Sequence, residues 1–216
     1  MESIKQVKGA VFDLDGTLLD STRLWEKIDT AFLAARKIAL PADYMQAVNS
    51  MEFSQAACYT IERFQLQETP QALMREWRRM AREAYAREVP LKPFAKEYLD
   101  ALIQKGVQIG AATSSTEDLF IPALENNGVR GLFSAVVTTK EAGRDKSAPD
   151  VYLKTAERMG LKPPDCAVFE DTLQGLQSAR AGGFVTVGVY DEASDHEREA
   201  IIKEADIYIR SFSALL

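Results

Sequence analysis

Two carboxylates stand one residue apart at the end of an apolar run, Val11-Phe12-Asp13-Leu14-Asp15-Gly16. Side chains at i and i+2 of a strand point the same way, so a strand reaching this far aims Asp13 and Asp15 to one side of its end. At about 4 Å and an effective dielectric near 20, two such charges repel by roughly 4 kcal/mol. The pair is sustainable if a cation sits there or if one acid keeps its proton. Gly16 follows, a residue that lets the chain turn sharply and lets a ligand approach the backbone. Farther along, three more groups could share chemistry with the pair. They are the hydroxyl cluster Thr113-Ser114-Ser115, the lysine that closes Gly143-Arg144-Asp145-Lys146, and the adjacent acids Glu170-Asp171. Carboxylate oxygens without sulfur or imidazole suit magnesium, which is held by one or two carboxylates together with waters and a substrate phosphate.

These groups can meet only if the elements between them bring strand ends together. Residues 7–13 read as a short apolar strand. From Thr22 the pattern is helical: Leu24, Ile28, Ala31, Phe32 and Ala35 fall on one face, with Trp25 and Asp29 beside the stripe. Pro41 interrupts, and a second helix is expected over 53–64. Thr69-Pro70 starts a third, with a capping residue followed by proline at the first helical position. That helix turns Leu73, Trp77, Met80, Ala81 and Ala84 inward and leaves Arg75, Arg78, Arg79, Arg82 and Arg87 as a solvated face. Val89-Pro90-Leu91-Lys92-Pro93 ends the helical stretch as a linker.

Beyond residue 93, helices at 95–105, 117–127, 149–159 and 173–181 alternate with strands at 107–113, 135–138, 166–169 and 184–189, and 206–209 reads as a short edge strand. Glycine recurs just past the helices, where a left-handed residue ends the turn. This alternation implies an α/β fold, a Rossmann-like, doubly wound parallel sheet covered on both faces. The core domain is then discontinuous, residues 1–20 with 90–216, and an all-helical domain, 21–89, is inserted into it. Ligands of open α/β sheets bind beyond the carboxyl ends of the strands. Asp13 and Asp15, Thr113, the loop carrying Lys146, and Glu170-Asp171 all fall at such ends.

Composition narrows the chemistry. The single histidine, His196, lies in the acidic stretch Asp191-Glu192-Ala193-Ser194-Asp195-His196-Glu197, so histidine-based triads and multi-histidine metal sites are excluded. Neither a Walker-type phosphate loop, nor a dinucleotide glycine fingerprint, nor a nucleophile elbow occurs. Catalysis must therefore run on carboxylates, lysine, threonine and serine. A net charge of −6 argues against nucleic acid as a partner. No apolar window is long enough to span a membrane and the N-terminus lacks a signal-peptide core, which points to the cytoplasm and to no membrane partner. Cys58 and Cys166 are expected to be buried thiols.

Asp13-Leu14-Asp15-Gly16-Thr17, taken with Thr113, Lys146 and Glu170-Asp171 in that order, resembles the four-motif signature of the haloacid dehalogenase superfamily. More narrowly it resembles the branch of beta-phosphoglucomutases and sugar-phosphate phosphatases, in which a helical cap follows the first motif. The resemblance covers essentially the whole chain. It implies that Asp13 is a nucleophile forming an aspartyl-phosphate, and that Asp15 alternates as acid and base. It implies that Thr113, with Ser114 beside it, and Lys146 hold the phosphoryl group. It implies Mg2+ bound by Asp13, Asp171 and the Asp15 backbone carbonyl, with Glu170 a further ligand directly or through water. Trp25 and Asp29 are the cap residues expected to meet substrate.

The resemblance also has departures. The mutase pattern has a histidine where Trp25 stands, and a basic cap residue that the stretch 48–53 lacks. A phosphatase acting on a small sugar or polyol phosphate is therefore expected. A beta-phosphoglucomutase-type phosphotransferase is the first alternative, and a phosphoacceptor or binding module without turnover the second. Closure of the cap about linkers near 18–22 and 86–93 is expected, and a monomer or weak dimer.

Overall fold

The computed structural model describes residues 7–48 and 51–216. The N-terminal stretch before residue 7, and Asn49 and Ser50 of the sequence stretch compared with the mutase pattern, lie outside the described residues. Two compact units emerge, Met1–Thr22 with Val89–Leu216, and Arg23–Glu88.

The first unit is a six-stranded sheet flanked by helices. In chain order its strands are β1 (Gly9–Phe12), β2 (Gln108–Thr113), β3 (Phe133–Thr138), β4 (Cys166–Glu170), β5 (Val185–Val189) and β6 (Ile207–Ile209). They lie in the order β3-β2-β1-β4-β5-β6, and every pair is parallel. β1 pairs with β2 through Phe12↔Ala111 and with β4 through Phe12↔Phe169, so the strand carrying the first motif is central. The winding direction reverses between β1 and β4, which opens a crevice at their carboxyl ends.

All four β1 residues are buried, as a strand covered on both faces requires. Val11 points into a cluster with Val137, Val151, Tyr152, Ala156, Val168 and Ala179. Phe12 points the other way and stacks on Phe169 with ring centroids 4.4 Å apart, and Tyr98 and Phe212 close the same layer. By the same alternation, Asp13 continues the Val11 side and Glu170 continues the Val168 side. Both acids therefore emerge on the face covered by the helix Asp150–Arg158.

The second unit is helical: α1 (Leu24–Ala35), α2 (Tyr44–Val48), α3 (Phe53–Phe64) and α4 (Pro70–Arg87). Thr69 caps α4 by accepting from the Ala72 amide. Phe32 meets Trp77 edge-on at 5.8 Å, and Arg36 lies over the Phe32 ring while donating to Glu68 at 2.8 Å and Glu76 at 2.7 Å. The five arginines of α4 are exposed, as expected. Two sequence expectations are corrected. The buried face of α1 is Leu24, Ile28, Asp29, Phe32 and Leu33, and Ala31 and Ala35 are exposed. The helix is rotated toward Leu33, because burying leucine removes more apolar area from water than burying either alanine. Cys58 is exposed, because α3 turns Ala56, Ala57 and Thr60 inward and Cys58 away; Cys166 is buried as expected.

Candidate active site

The remaining helices of the first unit are α5 (Ala95–Gln104), α6 (Glu117–Asn126), α7 (Thr139–Ala142), α8 (Asp150–Arg158), α9 (Leu173–Ala181) and α10 (Arg198–Glu204). Immediately after β1 the chain folds back on itself. The Leu14 carbonyl accepts from the Leu18 and Leu19 amides at 2.9 and 2.7 Å, and the Gly16 amide donates to Leu19 at 3.0 Å. Gly16 takes φ +82°, and a Cβ there would stand 2.6 Å from Asp171 Oδ2. Any side chain would push Asp171 aside, so the glycine of the first motif makes room for the acid of the last. Thr17 uses the same turn to donate to Asp171 Oδ1 at 2.7 Å.

Asp13, Glu170 and Asp171 are all buried, and each offers a carboxylate oxygen within 4.8 Å of the others. At that separation each ionised pair repels by about 3 kcal/mol for a dielectric near 20. Lys146 supplies one positive charge. It contacts Asp13 Oδ1 and lies 2.5 Å from Glu170 Oε1. Tyr152, three residues into α8, donates to the same Glu170 oxygen at 2.7 Å, and Thr172 donates to Oε2 at 3.0 Å. Glu170 is thus held at both oxygens. The Thr172 hydroxyl also accepts from the Gly175 amide at 3.2 Å, capping α9, so the start of that helix and the acid are fixed together.

The electrostatics follow from this crowding. Burial pushes the Asp13 carboxyl well above the usual range, against the pull of Lys146, and the charges of Glu170 and Asp171 add to it. Burial, then the Glu170 charge, raises Asp171 to about 7. Burial works against the Lys146 ammonium, but the Asp13 and Glu170 charges outweigh it and raise its pKa. Three acids facing one ammonium remain short of positive charge. The donor set is hard oxygen throughout, which fits a divalent cation of the magnesium or calcium kind.

The other expected residues fall as follows. Thr113 is buried at the end of β2, and its hydroxyl accepts from the Ser115 amide at 2.9 Å. Ser114 is exposed beside it. Asp15 is half-buried, and its Oδ1 accepts from Ser21 at 2.8 Å. Its carboxylate is not one of the three that converge. Trp25 is exposed and meets Phe53 edge-on at 5.8 Å. Asp29 is buried in the helical unit, where desolvation raises its pKa to about 7. Sequence reasoning assigned no side-chain role to Thr17 within the first motif, to Ser21 in the linker, or to Tyr152 and Thr172. Tyr152 did leave a signal: a tyrosine on the inward face of an amphipathic helix must find a partner for its hydroxyl.

Among the described residues no helix is long and apolar enough to cross a membrane. The sequence profile of the haloacid dehalogenase-like hydrolases matches residues 10–189. Over 181 residues the chain is 32% identical to fructose-1-phosphate phosphatase YqaB of Escherichia coli K12, covering 84% of this chain and 95% of that protein. Over 220 residues it is 29% identical to a Drosophila melanogaster protein named probable pseudouridine-5'-phosphatase, covering 97% and 95%. In three dimensions it resembles a Thermotoga maritima protein provisionally named a beta-phosphoglucomutase, with a TM-score of 0.85, 19% identity and 94% of each chain covered.

Proposed function

Because the chain belongs to the haloacid dehalogenase-like hydrolase family, we propose that it is a magnesium-dependent phosphatase of a small sugar or polyol phosphate. The observation that carries this reading is the buried meeting of Asp13 with Lys146, Glu170 and Asp171 at the carboxyl ends of β1 and β4. Asp13, Glu170, Asp171 and the Asp15 backbone carbonyl would hold Mg2+. When bound, it neutralises charge on the phosphoryl oxygens.

The chain's own residues have separate tasks. Asp13 attacks phosphorus through a carboxylate oxygen, and the ester oxygen leaves with a proton from Asp15. Asp15 then takes a proton from water as that water attacks phosphorus. The Asp13–phosphate bond breaks, and inorganic phosphate departs. Lys146 offsets the negative charge gathered between Asp13 and the phosphoryl group, and Glu170 holds the lysine in place. Thr113 and Ser114 donate to the phosphoryl oxygens. Positioning and charge neutralisation of this kind are most of what phosphoryl transfer requires.

Two relatives along most of the chain carry phosphatase names, which supports hydrolysis over mutase chemistry and over a module without turnover. Trp25 and Asp29 are proposed to choose the substrate. Assay of para-nitrophenyl phosphate with and without magnesium tests the reaction, and a panel of sugar and polyol phosphates tests the substrate class. Magnesium-dependent turnover is expected, with Trp25→Ala and Asp29→Asn reordering the panel. Turnover indifferent to magnesium would refute the reading.

A further inference from the structure

β5 runs out into Tyr190-Asp191, where a further buried acid takes no part in the chemistry proposed above. Asp191 is 4% exposed. Thr22 Oγ1 lies 2.7 and 2.8 Å from its two oxygens. Lys92 Nζ lies 2.6 Å from Oδ2 and also donates to the Tyr190 carbonyl at 2.8 Å. The Ala193 amide donates to Oδ1 at 2.9 Å.

Thr22 and Lys92 stand on the two chain segments that lead into and out of the helical insert. The segments pair with each other. Leu19 bridges Leu91 antiparallel, the Asp20 amide donates to Pro90 at 2.9 Å, and the Lys92 amide donates to Leu18 at 2.9 Å. The outgoing segment has another anchor, since Asn127 accepts from the Leu91 amide at 3.1 Å and donates to the Val89 carbonyl at 2.9 Å. The incoming segment is tied to the end of the sheet at Thr22, through Asp191. Ser21, next in the chain, is the residue whose hydroxyl holds Asp15.

We infer that Asp191 is a positioning residue for Asp15: by holding Thr22 it fixes the backbone that presents Ser21, and Ser21 fixes the Asp15 carboxylate. A proton carrier must sit within hydrogen-bond reach of the leaving oxygen, and a displacement of about 1 Å can cost on the order of 100-fold in rate. Asp191 thus contributes to catalysis without touching substrate. The inference rests on the proposed role of Asp15 as proton donor.

Thr22→Val removes the donor at nearly constant volume, and Thr22→Ser keeps it. Phenyl phosphate and para-nitrophenyl phosphate are nearly the same size, but the first has the poorer leaving group and depends more on protonation. Thr22→Val should lower kcat/KM, which reports only the steps through departure of the ester oxygen, about tenfold for phenyl phosphate and less than about threefold for para-nitrophenyl phosphate. Thr22→Ser should restore the ratio. Asp191→Asn should give the same split, and Thr22→Val carries the test should that variant fold poorly. Hydrogen exchange at the Asp20 amide should rise about tenfold in Thr22→Val, with Val11 and Phe12 in β1 unaffected. Equal losses on the two esters, or an unchanged Asp20 amide, would overturn the inference. A parent protein that hydrolyses neither ester would refute the phosphatase reading instead, and the exchange measurement would then decide the clamp alone.

Discussion

Gly175 offers a test in which local propensity and packing predict opposite signs. It is the third residue of α9. Glycine costs a helix interior roughly 0.5–1 kcal/mol relative to alanine, so propensity alone makes Gly175→Ala stabilising. The surroundings reverse this. A Cβ at Gly175 would lie 2.5 Å from Glu170 Cδ and Oε2 and 2.9 Å from Oε1. Glu170 cannot swing aside freely, because Lys146 and Tyr152 hold one oxygen and Thr172 the other. Making room breaks the Thr172 contact and bends at least one further bond to a charged group, each worth about 1.5–3 kcal/mol. The expected net effect is destabilisation by about 2–4 kcal/mol. Hydrogen exchange of the β1 and β4 amides reads the stability of this unit apart from the helical one. With Glu170→Ala in place the obstruction is gone, and Gly175→Ala should then stabilise by up to about 1 kcal/mol. A double-mutant cycle gives the difference as a coupling energy. Slower exchange in Gly175→Ala alone, or a cycle without coupling, would refute the packing of α9 against Glu170.

Asp29 is buried, with a carboxyl raised to about 7 by desolvation, against about 3.9 in an unfolded chain. Between those values the native state holds more protons than the unfolded one, so stability falls as pH rises, by about 4 kcal/mol in total. Asp29→Asn should therefore stabilise the helical unit more near pH 8 than near pH 5 in urea unfolding, and an equal effect at both would contradict this. A thiol reagent should label Cys58 in the native protein. Cys166 should react only on unfolding, since it is buried and burial raises its thiol to about 11; rapid labelling of both would contradict the structure. Asp171, raised to about 7, and Asp13 must lose protons to bind a cation. The magnesium concentration for half-maximal activity should then fall as pH rises from about 6 to about 8, and pH-independent activation would count against these ligands.

The sheet was legible in the sequence because each buried strand is a short apolar run bounded by turn residues, and β1 shows this over Gly9–Phe12. The acids were legible because they stand where those runs end. The orientation of α1 was not. Leu24, Ile28 and Phe32 form one row, and the row beside it on one side holds Asp29 and Leu33 while the other holds Ala31 and Ala35. Periodicity counts both flanks alike, and only packing against a neighbouring helix chose the flank with leucine, burying Asp29 with it. The partners of the site acids were hidden for a different reason. Thr17 meets Asp171 across 154 positions of chain, and Thr22 meets Asp191 across 169. Contacts of that range are made by the strand order, and no local pattern encodes them.

The most direct measurement is to quench the protein in acid during magnesium-dependent turnover of para-nitrophenyl phosphate and locate the covalent phosphoryl group by peptide mass spectrometry. The role of Asp13 as nucleophile predicts it on the peptide carrying Asp13, and predicts that Asp13→Asn neither carries the group nor turns over. A phosphoryl group on another residue, or turnover retained in Asp13→Asn, would contradict it.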